Sequence, residues 1–273
     1  IDSLSKETHT NLSKKEALEH QLELQLLKAK VYDENFEQEL ALTTLLAILD
    51  QSIAQKFYKI TTRTYLLLAS VKQKGNDLEE SENYLHLAQE YIAQHQFDDL
   101  YGAYYFSLAS WHRLKGETDL ILENAEKALF YGEKYKNEED IALAHTMLGV
   151  GYGNKKDFEQ AISHFKQVIP YYKKTGNVTS LAMMYRNVSR NFFLDSEIDS
   201  SFHYIDSAYH YYDEMSYFYK EYLPLKRLDL YAHIGQWDSA FHYLSDFHNL
   251  SFYNLLKRES SKIKGITEQF END

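Results

Sequence analysis

Apolar residues recur three and four positions apart along almost the whole chain, the spacing of amphipathic helices rather than of strands. Between Leu148 and Val168 the pattern predicts two helices joined by the polar turn Asn154-Lys155-Lys156-Asp157. The first carries Leu148, Gly149 and Tyr152 on one face, and the second carries Ala161, Phe165 and Val168. Asp157 followed by Gln160 has the spacing of a capping box, as does Ser13 with Glu16, which predicts a first helix running to about Tyr32. A helix pair of this size cannot bury both apolar stripes alone. It needs copies of itself on either side.

The copies are present at a period of 40 residues. Ala29, Ala69, Ala109, Gly149 and Ser189 form a column of small residues, and Glu37, Asp77, Glu117, Asp157 and Glu197 an acidic one. The apolar columns include Leu45, Leu85, Ala125, Phe165 and Ile205, then Ile48, Ala88, Ala128, Val168 and Ala208. A sixth copy, shorter by one residue, carries Leu228, Tyr231, Ala240, Leu244 and Phe247. Small residues in mid-helix let a partner helix approach closely. A carboxylate at the start of a second helix can cap free N–H groups and meets the positive end of the helix dipole.

The motif Leu148-Gly149-x-x-Tyr152, followed by Ala161-x-x-x-Phe165-x-x-Val168, resembles the tetratricopeptide repeat over roughly residues 14–250. The family unit is about 34 residues, so the longer period here implies longer helices. The resemblance implies an all-α fold, a right-handed α-α superhelix (solenoid) of about six helix pairs with a C-terminal capping helix. The pairs are expected near 14–53, 57–94, 98–135, 138–174, 178–214 and 218–250. Pro224 fits the start of a helix, whereas Pro170 is expected to kink or shorten one. Residues 251–273 carry Leu256, Ile263 and Phe270 at heptad spacing. They read either as a helix capping the solenoid or as one continuing into a coiled coil.

Composition narrows the chemistry. Only 10 Gly and 2 Pro punctuate the chain, as helices throughout require. With 41 acidic and 29 basic residues the net charge is −12, which works against direct nucleic-acid binding. No cysteine is present, so thiolate metal sites and cysteine nucleophiles are excluded. No apolar run is long enough to span a membrane. The 12 histidines include no H-x-x-x-H pair, and no phosphate loop or nucleophile elbow occurs, so neither metal, cofactor nor enzyme activity is expected. Gly149, Gly151 and Gly153 fall inside a helix and do not form a dinucleotide fingerprint. Tyrosine is abundant, 24 residues with a cluster from Tyr209 to Tyr222, expected to pack at junctions between repeats with hydroxyls reaching water.

What remains is the concave face, which in such solenoids is lined by first helices and holds a protein or peptide segment. The family's inward positions, carried across by register, fall on Arg63, Leu66, Ser70 and Gln73, then on Phe106, Ser110 and Arg113. The following repeats supply Thr146, Val150 and Asn154, then Met183, Arg186, Arg190 and Phe193, then Leu223, Lys226 and Leu230. The candidate binding residues are Arg63, Phe106, Arg113, Asn154, Arg186, Asn187, Arg190 and Lys226. Arg186 and Arg190, one turn apart with Asn187 and Asn191 beside them, can hold a carboxylate by bidentate hydrogen bonds. They can equally pair with acidic groups of neighbouring repeats.

The start Ile1-Asp2-Ser3-Leu4 and the heptad-like end resemble the exported repeat region of membrane-anchored Bacteroidetes-type transcriptional regulators or histidine kinases. That resemblance implies a non-catalytic, periplasmic sensor of a peptide or protein, separated from a signal peptide or membrane segment. A cytoplasmic peptide-responsive regulator and a structural scaffold are the alternatives. Oligomerisation through the C-terminal helix is open in each.

Overall fold

The computed structural model describes the backbone of residues 13–272 and side chains as far as Ser260, Arg258 excepted. It divides into two compact units, residues up to Leu100 together with Arg258–Asp273, and Tyr101–Lys257. The first unit holds the pairs α1 (Lys14–Glu34) with α2 (Gln38–Ala54) and α3 (Tyr58–Lys74) with α4 (Leu78–His95). The second holds α5 (Tyr101–Lys115) with α6 (Thr118–Tyr135), α7 (Glu138–Asn154) with α8 (Phe158–Thr175), and α9 (Val178–Leu194) with α10 (Ile198–Tyr209). After the short α11 (Tyr217–Lys220) come α12 (Tyr222–His233) and α13 (Trp237–Asn272). Among the described residues there is no strand, so the fold is all-α as expected.

The small and apolar columns of the first five repeats are the core, whereas Leu244 of the sixth is 43% exposed. Ala29, Ala69, Ala109 and Ser189 are fully buried, as are Ala41, Ser81, Ile121, Ala161 and Ser201 on the second helices. Partners in the columns are matched in size. A Cβ on Gly149 would lie 2.8 Å from the Phe165 ring, so the repeat with the largest second-helix residue has the smallest first-helix one. In the fifth repeat Ser189 and Ser201 each donate to the other's backbone carbonyl at 2.8 Å.

A second, shorter period is set by the backbone. Among the described residues, positive φ occurs at Phe36, Lys56, Asn76, Gln96, Gly116, Lys136, Lys156, Gly176 and Ser196, one every 20 residues, followed by Gly235. Turns within a pair and between pairs therefore share one left-handed closing residue. The rhythm breaks after α10, where residues 212–214 form a 3-10 turn and α11 intervenes.

Several expectations are corrected. In the acidic column only Asp77 and Asp157 cap their helices, accepting from Glu80 N at 3.3 Å and Gln160 N at 3.2 Å. Glu37, Glu117 and Glu197 make no such bond, because the extra methylene carries the carboxylate past the free N–H groups. Glu117 turns instead to His112 at 2.7 Å and Lys115 at 3.2 Å. Pro170 does not shorten α8, which continues to Thr175. The boundary expected at residue 250 falls inside α13, which runs unbroken from Trp237. Residues 251–272 continue α13.

Candidate functional site

Three first helices of the second unit, α5, α7 and α9, line a half-open cavity of about 440 Å³. Arg113 comes from the last turn of α5, Asn154 from the end of α7, and Arg186, Asn187, Arg190 and Asn191 from α9. Gly149 and Gly153 of α7 and Phe165 of α8 also line it. The α7 glycines are set by helix contact: a Cβ on Gly153 would lie 2.9 Å from Asn191 Oδ1, and one on Gly151, which does not line the cavity, 2.5 Å from Leu122.

The charge here is unbalanced. Among the described residues no carboxylate lies within 4.0 Å of Arg113, Arg186 or Arg190. Arg186 Nη1 donates to Asn187 Oδ1 at 3.2 Å, and the guanidinium stands 5.4 Å from the Tyr222 ring, but its buried Nε has no partner. Burial holds Arg113 and Arg186 below the usual guanidinium range, and the neighbouring Arg190 charge lowers Arg186 further. Asn191 Nδ2 donates to the Asn187 carbonyl at 2.8 Å, while its buried Oδ1 is unpartnered. Behind these residues lies Lys226, whose ammonium sits 3.5 Å from the Phe193 ring centroid and 3.7 Å from Asp229. Burial brings Lys226 down to about 8; Asp229 opposes the fall, and Arg186 and Arg190 add to it. Arg186, half-buried, and the exposed Arg113 and Arg190 together form an anion site without a carboxylate, with asparagine amides to orient the ligand.

The structure sorts the sequence-predicted residues. Arg113, Asn154, Arg186, Asn187 and Arg190 come together in the cavity, with Val150 beside them and Lys226 adjacent. Arg63 belongs to the first unit and is neutralised by Glu23. Phe106 packs on the core around Ala109 and Met147 and does not line the cavity. Leu223 and Leu230, assigned to the concave face by register, are fully buried core. Met147, Phe165 and the glycine floor were not foreseen as lining.

Two other clusters are packing. Arg227 lies 3.7 Å from the Tyr209 ring and donates to Asp206 and to the Tyr243 hydroxyl, each at 2.6 Å. The Tyr209 hydroxyl is buried without a partner, contrary to the expectation of tyrosine hydroxyls in water. His145 and His164 face each other with Nδ1 atoms 3.0 Å apart. They occupy the register of Tyr65–Tyr84 two repeats earlier and of Tyr185–Tyr204 in the next repeat. Among the described residues no three potential ligands converge on a metal position, and no helix is long and apolar enough to cross a membrane.

No protein-family model and no curated protein matches the sequence. Solved structures do. A STAND protein of Pyrococcus horikoshii with a tetratricopeptide repeat sensor aligns over 94% of this chain and 43% of its own, at TM-score 0.59 and 14% identity. The fold is tetratricopeptide-like. A Rap protein complexed with Competence and Sporulation Factor aligns over 85% of this chain and 76% of its own, at TM-score 0.62 and 12% identity. BtubC (BKLC) from P. vanneervenii aligns over 85% of this chain and 91% of its own, at TM-score 0.60 and 16% identity. At these identities the tetratricopeptide-like neighbours define the architecture alone.

Proposed function

We propose that this tetratricopeptide-like chain is a non-catalytic binding module that takes an acidic peptide segment, with a carboxylate seated between Arg113, Arg186 and Arg190. One observation carries the reading: three guanidinium groups share a cavity without a carboxylate, in a protein of net charge −12. A half-buried charge with an unpartnered nitrogen, as on Arg186, is costly unless a ligand completes it. The competing arrangement, arginines tied to acids of neighbouring repeats, describes Arg63 with Glu23 but not the arginines of this cavity. Two neighbours carry names consistent with sensing, one a repeat sensor and the other a protein complexed with a factor.

On this reading the chain is the sensing region of a larger signalling protein, and its placement outside the cytoplasm belongs to the same proposal. A reporter fused to the full-length protein in its own host tests that placement. The cavity is tested with acidic and charge-reversed peptide arrays on the intact chain and on Arg186→Glu/Arg190→Glu. Acidic peptides should bind the parent in a salt-dependent manner and lose at least tenfold in affinity on the variant. Equal binding to both proteins would remove the arginines from the site.

A further inference from the structure

The second helix of the sixth pair has two apolar faces. Ala240, Leu250 and Asn254 lie on the buried one, where Asn254 Nδ2 donates to the Phe218 carbonyl at 3.3 Å. Roughly a third of a turn around the same helix, Trp237, Phe241, Leu244, Phe252 and Leu255 form an outward stripe, interrupted between Leu244 and Phe252 by His248. Their exposures run from 43% to 66%, high for side chains of this size. A solenoid end normally turns a polar face to water; this one does not. The charge pattern changes here too. In a chain that is 26% charged, Asp246 is the sole formally charged residue between Asp238 and Lys257, and it pairs with His242 at 3.6 Å.

We propose that this stripe is the contact by which two copies of the chain associate, α13 against α13. Three properties select a second copy as the occupant. The five side chains leave uncovered an area on the order of 600 Å², before counting Leu256, against the ~800 Å² that each partner buries in a standard interface. The face carries five apolar side chains and one imidazole, His248, with no carboxylate, ammonium or guanidinium, so it complements itself under a twofold axis without permanent like charges facing each other. Depletion of charge beside aromatic and leucine side chains is the composition of an interface centre and not of a solvated helix. The sequence also keeps Ile263, Ile266 and Phe270 at helical spacing further along.

Sedimentation velocity of the intact chain tests the proposal, together with Phe241→Glu/Phe252→Glu. The parent should sediment as a dimer at micromolar concentration and the variant as a monomer with unchanged far-ultraviolet circular dichroism, since both positions face outward. Because the chain has no cysteine, Leu244→Cys supplies a second readout, oxidising to a covalent dimer in the parent background and not in the charged variant. A parent that stays monomeric, or a charged variant that still dimerises, would overturn the assignment. So would a dimer whose Leu244→Cys form gives no crosslink.

Discussion

The Lys226 ammonium stands 3.5 Å from the centroid of Phe193, with only 3% of its side chain exposed. Phe193 offers a π face where water would otherwise solvate the charge, and Asp229, half exposed at 3.7 Å, offers partial compensation. The lysine is brought down to about 8, so near neutral pH it remains charged at a cost to folding. The sign follows from linkage. The unfolded chain holds this proton up to a higher pH than the folded one, so stability rises as pH climbs from about 8 toward the ordinary lysine value. Lys226→Met should raise stability at pH 7 by about 1–2 kcal/mol and flatten that rise, as measured by urea unfolding across alkaline pH. With an acidic peptide bound, parent affinity should fall as pH passes through about 8, with proton uptake measurable by calorimetry in buffers of different ionisation enthalpy.

Gly149→Ala should destabilise the second unit by roughly 1–3 kcal/mol, because its Cβ would press into the Phe165 ring at 2.8 Å. Phe165→Leu should be destabilising alone and should recover part of the loss when combined with Gly149→Ala. A double-mutant cycle on thermal unfolding reads this coupling. Additive effects would mean that the two columns do not constrain each other.

The left-handed closing residues offer a stability lever. Lys136 and Lys156 hold φ of 55° and 63° with a side chain, where Gly116 and Gly176 hold 75° and 68° without one. Lys136→Gly and Lys156→Gly should each stabilise by about 0.5–1 kcal/mol, the relief of left-handed strain less the added entropy of the unfolded glycine. Gly116→Lys should lose a similar amount, although no atom stands within 4 Å of its would-be Cβ. Melting temperatures of the three variants decide the matter.

The paired histidines predict an acid response. Burial lowers both His145 and His164; Glu133 opposes the shift at His145, and the His145 ring adds to it at His164. The remaining aromatic neighbour is Tyr152, stacked on His164 at 5.4 Å. The unfolded chain takes up these protons at a higher pH than the folded one. Stability should therefore be intact above about pH 6.5 and fall as the pH drops below it. His145→Tyr/His164→Tyr, which copies Tyr185 and Tyr204 of the fifth repeat, should weaken the acid-induced loss while leaving stability at neutral pH nearly unchanged. Chemical unfolding between pH 5 and 7.5 measures the difference.

The helix pairs were legible because stacking demands like-sized residues at one register, and that demand writes columns into the sequence. The 20-residue rhythm of left-handed residues was not legible. Phe36, Lys56, Gln96 and Gly116 share a backbone geometry and no side-chain property, since the turn imposes φ on whatever residue stands there. At the cavity, Arg186 and Arg190 were visible from their spacing, but the sequence reading did not separate them from Arg63. The discriminating information lies one period away. Glu23 precedes Arg63 by 40 residues and ion-pairs with it, as Asp99 does with Lys59 at 2.6 Å. One period either side of Arg186 stand Thr146 and Lys226, and around Arg190 stand Val150 and Leu230. Neither arginine meets a carboxylate in its own register, so both remain available.

The glycine floor of the cavity has a mechanical consequence. Gly149 and Gly153 of that floor, with Gly151 turned toward Leu122, lie within the last six residues of α7, where each lowers intrinsic helix stability by about 1 kcal/mol relative to alanine. That end of α7 is held by packing against Leu122, Phe165 and Asn191 more than by its own propensity. It is the soft joint between two flanking helices that carry like charges. An anion spanning Arg113 and Arg190 would brace this joint from outside, so occupancy would register as stiffness, slowing amide exchange in α7 before any displacement of the helices.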